Sequence, residues 1–464
     1  NKVYAVLDNH KYGDYQPYIY KSTDKGKSWK SIISNLPDRT VTWRIVQDHV
    51  EKNLLFAATE YGIYFSINSG GKWTKLNGGV PIISFRDLAI HKRENDLVGA
   101  SFGRGFYVFD DISVFRGLSK EQMSDTGTLF PVRKAWWYIP RSHLGFGDRP
   151  KGTQGDGYFT APNPPFGAVF TFHLAEGLES KADQRKKNEE SIIKKGKEVG
   201  FPGWNTVEAE RREMKPRILF EIKDRNGNTV RRIEGPTSKG FHRVAWDLRY
   251  PSPNAVTVGK SSEQGAGFLV APGTYSVSMH AQIDGNITQL SESQQFDVVP
   301  LRRGALPTKG YSQIADFWRQ YEQTAKRASA VQVTVGNTLK KIARMQTALD
   351  HSNADVGNLD SRLHAIRSSI LDMDEALSGN RSKMAPGEKN NPTVGNRLFV
   401  VQRVIEYSTY GPTATAVENL ALAKKGLDNI YSQLNQNKMD LDALSRRLTK
   451  AGAPWVEGDQ VPKK

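Results

Sequence analysis

The chain has 464 residues, of which 38% are hydrophobic and 10% aromatic, proportions of a folded chain with room for about three domains and their cores. Lysine and arginine outnumber aspartate and glutamate by 65 to 49, a formal net charge of +16, which favours acidic partners such as anionic glycans, lipopolysaccharide or an acidic protein surface. Cysteine is absent, which excludes disulfides and thiolate metal sites, and no apolar run reaches the length of a membrane-spanning helix.

In chain order the first feature is a repeat. Ser22-Thr23-Asp24-Lys25-Gly26-Lys27-Ser28-Trp29 fits Ser-x-Asp-x-Gly-x-x-Trp at every specified position, and an eroded copy, Ser66-Ile67-Asn68-Ser69-Gly70-Gly71-Lys72-Trp73, follows 44 residues later. The flanks align in the same register, Tyr18 to Ser22 with Gly62 to Ser66 and Asn53 to Thr59 with Asn95 to Ser101. A period in the forties, with short strands around a Gly-containing turn, predicts four-stranded propeller blades. A third unit, Gly105 to Phe109, runs into Asp110-Asp111-Ile112 without such a turn, so the blades are expected to end near residue 116. Residues 1–113 then supply about two and a half blades where closure needs at least about four. The rest, with any targeting signal, is expected outside this chain, either in a longer intact protein or in a second chain.

The motif resembles the Asp-box, or bacterial neuraminidase repeat, of sialidases, xyloglucan-degrading propellers and the sortilin-type receptor propeller. That resemblance implies a turn between the third and fourth strands of a blade. Asp24 would accept bonds from turn amides, Gly26 would supply an unusual φ, and Trp29 would pack between blades; Ser22, and Ser66, Asn68, Gly70 and Trp73 in the second copy, carry the same structural roles. A lone Asp per turn lacks the carboxylate count for calcium.

Loops at one end of such blades surround a central channel. Arg44, Arg86 and Asp87 fall at the starts of innermost strands, while Glu60 and Arg104 fall in the loops between second and third strands. These five could face one cavity and bind an anionic or polyhydroxylated ligand. The structural reading makes Arg44 and Arg86 repeat-equivalent residues bonded to neighbouring blades, with Glu60 as a partner.

Residues 117–166 form a Gly/Pro/aromatic stretch containing Trp136-Trp137-Tyr138-Ile139-Pro140 and Gly155-Asp156-Gly157-Tyr158-Phe159. It is expected to be an ordered linker packed on a neighbouring domain, because exposed Trp and Tyr pairs are costly, or else a carbohydrate platform. Residues 167–300 alternate with strand period around Ala168 to Phe172, Arg217 to Ile222, Gly240 to Asp247 and Gly273 to Met279, with hairpin turns at Asp224 to Asn228 and Asp284 to Asn286. They predict a β-sandwich, and Trp246-Asp247 with Pro272-Gly273-Thr274-Tyr275 resembles the immunoglobulin-like domain of flagellar hook-cap proteins and of bacterial secreted enzymes. Glu176 to Lys215, rich in Lys, Arg and Glu, reads as a solvated helical insertion in that sandwich.

From Tyr311, in a domain spanning residues 301–464, helix formers dominate. Leu420, Leu427, Leu434, Leu441 and Leu448 recur every seven residues, with Ala423, Ile430, Leu444 and Ala451 between them and Asn437 as an interruption. Leu339, Ile342, Met345 and Leu349, then Leu363, Ile366, Ile370 and Leu377, offer a partner face, so the domain is expected to be an intramolecular antiparallel bundle, with dimerisation through the Leu stripe as the alternative. The fold class is therefore a multidomain chain, all-β in its first two-thirds (partial Asp-box propeller, then Ig-like sandwich) and α-helical at the end.

Asn53 to Gly62, Asn95 to Leu97, Gly103 to Phe106, Asp110 to Ile112, Pro162 to Ala168 and Gly452 to Trp455 together resemble the C-terminal half of large secreted proteins abundant in Bacteroidetes. These are usually labelled sortilin-like or "glycosyl hydrolase" repeat proteins. No His-x-x-x-His zinc motif, P-loop or Gly-x-Ser-x-Gly elbow occurs, so neither a metal nor a cofactor is expected and no catalytic residue is assigned. The basic residues are dispersed, which argues against specific nucleic-acid recognition. The sequence thus points to a non-catalytic binding or scaffold protein, secreted or in the envelope of a Gram-negative bacterium, with a protein or acidic glycan partner and compatible with association with a membrane complex. The alternative is a glycoside hydrolase whose catalytic carboxylates lie mainly in blades outside this chain.

Overall fold

Residues 2–140, 157, 161–257, 267–302, 310–353 and 357–461 are described by the computed structural model; of the Gly155 to Phe159 motif, all but Gly157 lies outside the described residues. They fall into two compact units. The first comprises Asn1–Ala135, Thr160–Trp246 and Thr274–Asp297, the second Trp136–Phe159, Asp247–Gly273 and Val298–Lys464.

Alternating apolar residues between Gly-rich turns give three antiparallel sheets at the start of the first unit. In order they are Val3–Asn9, Asp14–Ser22 and Lys30–Ser31; Thr42–Gln47, Leu55–Thr59, Gly62–Ser66 and Thr74–Lys75; and Phe85–His91, Asp96–Ser101 and Phe106–Phe109. The middle sheet is covered on both faces, so every residue of Leu55–Thr59 is buried. Its side chains divide by strand period: Leu55 and Ala57 pack with Ile19, Ile32, Tyr64 and Trp73, whereas Phe56 and Ala58 pack with Phe85, Leu88, Leu97 and Ile112. The approach of the third sheet is close enough that a Cβ at Gly99 would stand 3.2 Å from Ile63 Cδ1 of the middle sheet. A buried ion pair fastens the chain leaving these sheets. Arg116 donates to both oxygens of Asp48 at 2.9 Å and to Asn95 at 2.8 Å, and amides of Val50 and Glu51 complete the Asp48 carboxylate.

Two further sheets complete the first unit. One orders Gly127–Leu129, Ala168–Leu174 and Gly240–Trp246; the other places Arg217–Asp224 between Thr229–Gly235 and Gly273–Ile283, with Asn286–Gln289 and Gln294–Pro300 beyond. Their facing aromatics meet: Phe170 and Phe172 lie 5.8 and 5.0 Å from Phe220, and buried Trp246 lies 5.5 Å from Tyr275. The hairpins are set by turn chemistry. Asp224 accepts from the amides of Asn226 and Asn228 while Gly227 takes φ 80°, and Asp284 and Gly285 both have positive φ. Helices are not confined to the end of the chain, so the architecture is mixed α/β. The charged insertion is a hairpin of two helices, Lys181–Lys194 and Trp204–Arg212, rather than a single helix.

Helices Tyr311–Asp350, Leu359–Ser378, Val394–Tyr407 and Ala414–Lys450 form most of the second unit. Leu420, Leu427, Leu434, Leu441 and Leu448 are all buried within it. They face a stripe that runs Val331, Val335, Ile342, Met345 and Leu349, then Leu363, Ile366 and Ile370. Asn437, the polar interruption, donates to Ser369 Oγ at 3.0 Å. Trp137 is a packing residue and not a platform. Its indole donates to the Val270 carbonyl at 2.7 Å, and its ring meets Tyr311 and Trp318.

Candidate functional site

The loops 10–13, 60–61 and 102–105 and the starts of Thr42–Gln47 and Phe85–His91 lie at the same end of the first three sheets, because antiparallel pairing returns the chain to that end after every second strand. Two β-bulges then aim side chains outward. Register shifts between Thr42 and Arg44 and again between Phe85 and Asp87 leave Trp43 and Arg86 as the extra residues of their strands.

Those two residues meet. The Arg86 guanidinium lies 3.6 Å from the Trp43 ring centroid and 5.0 Å from that of Phe102. Glu60 stands beneath, its Oε2 accepting from the Trp43 indole at 3.0 Å and Ser84 Oγ at 2.9 Å, with Arg86 Nη2 at 3.8 Å. Beside this stack Arg44 Nε pairs with Asp87 Oδ1 at 3.2 Å, and both side chains are more than half exposed. His10, bonded to Asp8, crosses Trp43 nearly at right angles with the ring centroids 5.2 Å apart.

Of the five residues expected at this rim, the structure brings Arg44, Glu60, Arg86 and Asp87 together. Arg104 is exposed on the loop after Ser101 and takes part in neither ion pair. The expected equivalence of Arg44 with Arg86 is corrected by one position. Arg44 pairs across its strand with Ala58 and Asp87 with Ala100, so Arg44 corresponds to Asp87, and Trp43 to Arg86. Residues in corresponding places on adjacent sheets thus form the ion pair and the stack. Trp43, Ser84, Phe102 and His10 carry no repeat signal and are visible only in the folded register.

The rim combines a cation–aromatic stack, exposed at Phe102, with a surface ion pair that a ligand can open. Its Glu60 accepts from two donors on one oxygen with the Arg86 cation at 3.8 Å, which suits an anchor for Trp43 and Arg86. Among the described residues no three His, Asp or Glu side chains converge to hold a metal ion.

The two repeated Ser-x-Asp/Asn-x-Gly-x-x-Trp turns lie between Asp14–Ser22 and Lys30–Ser31 and between Gly62–Ser66 and Thr74–Lys75. In the first, Asp24 accepts from Ser28 Oγ at 2.6 Å, the Ser28 amide at 2.9 Å and Ser22 Oγ at 2.8 Å, while Gly26, at φ 91°, donates to Ser22 Oγ. Those bonds, the Ser28 hydroxyl first among them, hold the Asp24 carboxyl well below the usual carboxylate range. In the second, Ser66 Oγ and the Lys72 amide donate to Asn68 Oδ1, and Gly70 at φ 89° donates to Ser66. A neutral Asn thus builds the same turn, so the carboxylate charge is dispensable to it.

The two tryptophans differ. Trp73 is 2% exposed, donates its indole to the Ile32 carbonyl at 2.8 Å, and exchanges bonds with Asn35. Trp29 is 45% exposed, and its indole bonds only within its own turn, to Gly26 at 3.1 Å. The expectation that Trp29 packs between sheets is therefore corrected. Trp73 reaches back to the sheet before its own, whereas Trp29 rests on its own turn, 3.8 Å from the Cβ position of Gly26.

No family model matches the chain, and no curated protein does. Among solved structures it is similar to the extracellular domain of a B. thetaiotaomicron protein described as a one-component system, at 12% identity and a TM-score of 0.18 over 64% of this chain and 31% of that one. A second structure, of an extracellular domain described as belonging to a hybrid two-component system of B. thetaiotaomicron, gives 11% identity and 0.17 over 64% and 30%. An ancestral GH74 enzyme gives 13% and 0.18 over 63% and 46%. The chain thus matches less than half the length of each, and TM-scores this low carry nothing about its fold or activity.

Proposed function

We propose that this chain belongs to a non-catalytic, secreted or envelope-associated binding protein. In this reading residues 1–116 are the last blades of an Asp-box propeller, 117–166 a structured connection, 167–300 an Ig-like sandwich and 301–464 a helical bundle. The Arg44, Glu60, Arg86 and Asp87 rim takes an acidic glycan or an acidic protein surface. One observation carries this: the Arg86 guanidinium lies over the Trp43 ring at 3.6 Å and 5.0 Å from the Phe102 ring centroid, offering a cation with an apolar border. Such a surface suits a ring bearing a carboxylate or sulfate, which stacks on the aromatic edge while its anion meets arginine.

The test is affinity electrophoresis in gels carrying polygalacturonate or neutral dextran, with reducing-end release measured on the same polymers. Retardation by polygalacturonate alone, lost in Arg86→Ala and without release of new ends, supports the reading. Unchanged retardation in Arg86→Ala moves the site elsewhere, and release of reducing ends replaces the binding role with hydrolysis.

A further inference from the structure

The helical hairpin inserted after Ala168–Leu174 has a division of labour along its length. Its base is tied down: Lys181 pairs with Asp284 at 2.8 Å, Lys239 with Glu176 at 2.8 Å, and the Leu178 amide reaches the Thr237 carbonyl at 2.8 Å. Its two helices are clamped by Arg185, which meets Glu210 through two bonds of 2.6 and 2.9 Å and Glu189 at 2.7 Å. Lys187 pairs with Glu179, and Arg211 and Arg212 both pair with Glu208. Near the base, then, the charges neutralise one another.

The tip, residues 192–204, is built differently. Lys194, Lys195 and Lys197 take part in no ion pair among the described residues, against the single acidic side chain Glu198. Ile193 is 62% exposed, Phe201 64% and Trp204 79%. Neither helix buries any residue, so these apolar side chains contribute nothing to the core. Phe201 and Trp204 lie ring edge to ring face, 4.9 Å apart, across the Pro202-Gly203 turn, which fixes them as one aromatic wedge beside the lysines.

We propose that this tip docks the protein on an anionic lipid surface. Aromatic side chains partition into the headgroup boundary of a bilayer, and lysines nearby are attracted by its negative potential; the two together are the composition of an interfacial anchor. Three unpaired lysines around an apolar wedge match a surface that is negative outside and apolar just beneath. The rim residues play no part in this inference, which stands or falls apart from the proposed function.

The experiment is co-sedimentation of the whole chain with vesicles of phosphatidylcholine alone or mixed 3:1 with phosphatidylglycerol, in low and physiological salt. Binding to the mixed vesicles only is expected, weakening as salt rises. Each lysine should contribute about fivefold, so replacing Lys194, Lys195 and Lys197 by Ala should weaken binding about a hundredfold. Phe201→Ser with Trp204→Ser should weaken it at least tenfold with the fold intact by circular dichroism, because both side chains are already in solvent. Equal binding by wild type and both variants, or no binding to mixed vesicles, overturns the proposal. So does a wild type that self-associates without lipid and becomes monomeric in the Ser double variant, which would make the tip an interface between copies.

Discussion

Replacing Trp73 by Ala tests whether the sheets are held together by what their turns send backwards. The indole is 2% exposed, sits in the cluster of Ile19, Ile32, Leu55 and Tyr64, and its removal also strands the Ile32 carbonyl. Truncating a buried Trp costs about 3–5 kcal/mol. The same change at Trp29 removes a half-exposed ring that rests on its own turn, 3.8 Å from the Cβ position of Gly26, and should cost about half as much or less. Hydrogen exchange followed by mass spectrometry reads the difference where it arises. In Trp73→Ala, amides of 16–22 and 54–66 should exchange about two orders of magnitude faster, the equivalent of about 3 kcal/mol of opening free energy. In Trp29→Ala they should change far less, with acceleration confined to 22–31. Equal effects at the two positions, or a Trp73→Ala change below about threefold, would refute the inter-sheet role and the ranking by burial.

Asp48→Ala should destabilise the first unit by about 3–5 kcal/mol in urea unfolding, because it leaves the Arg116 guanidinium without its buried partner. Burial pushes the Asp48 carboxyl up, but the Arg116 pair and two amides outweigh it and hold it below its ordinary 3.8. Its stabilisation is therefore complete above about pH 4 and is lost as pH falls through that lower value, a loss that Asp48→Ala should no longer show. Asp24→Asn should leave exchange at the Gly26 and Ser28 amides unchanged, since Asn68 already builds this turn, whereas Asp24→Ala should accelerate it. Leu434→Glu should unfold the helical unit at every protein concentration in circular dichroism; a folded monomer arising from a wild-type dimer would sink the intramolecular packing. Replacing Arg44, Arg86 and Arg104 together should weaken binding to polygalacturonate and flatten its salt dependence, with Arg86→Ala alone accounting for most of the loss.

The fold was most legible where period and turn chemistry agree. Gly227 and Gly285 mark hairpins because only a positive φ closes them, and the Leu420 to Leu448 heptads are buried because a stripe that regular has no other stable place. Legibility failed where an element's fate depends on a distant neighbour. Trp136-Trp137 reads alike whether it is a platform or a plug, and only the approach of Val270, Tyr311 and Trp318 decides it. The insertion read as one solvated helix because its charges run continuously. The break at Gly196 to Gly203 comes from three glycines and a proline among them, two of the glycines at positive φ.

At the rim the sequence found the right residue types and misjudged their correspondence. Matching repeats by a constant offset equates Arg44 with Arg86, and a repeated arginine then reads as scaffolding. The bulge in each strand shifts the pairing by one residue, and a shift of one exchanges the faces on which successive side chains lie. Arg44 then meets an acid instead of aligning with another arginine, and Arg86 falls against Trp43. Repetition argues for structure only when the repeated residues occupy equivalent places. Here the corresponding places hold Trp43 and Arg86, and Arg44 and Asp87, and neither place repeats its residue type. A fold that needed one residue type for closure would repeat it at those places. Their divergence, at bulges that the folded register reveals, is the stronger reason to look for a ligand at this end of the sheets.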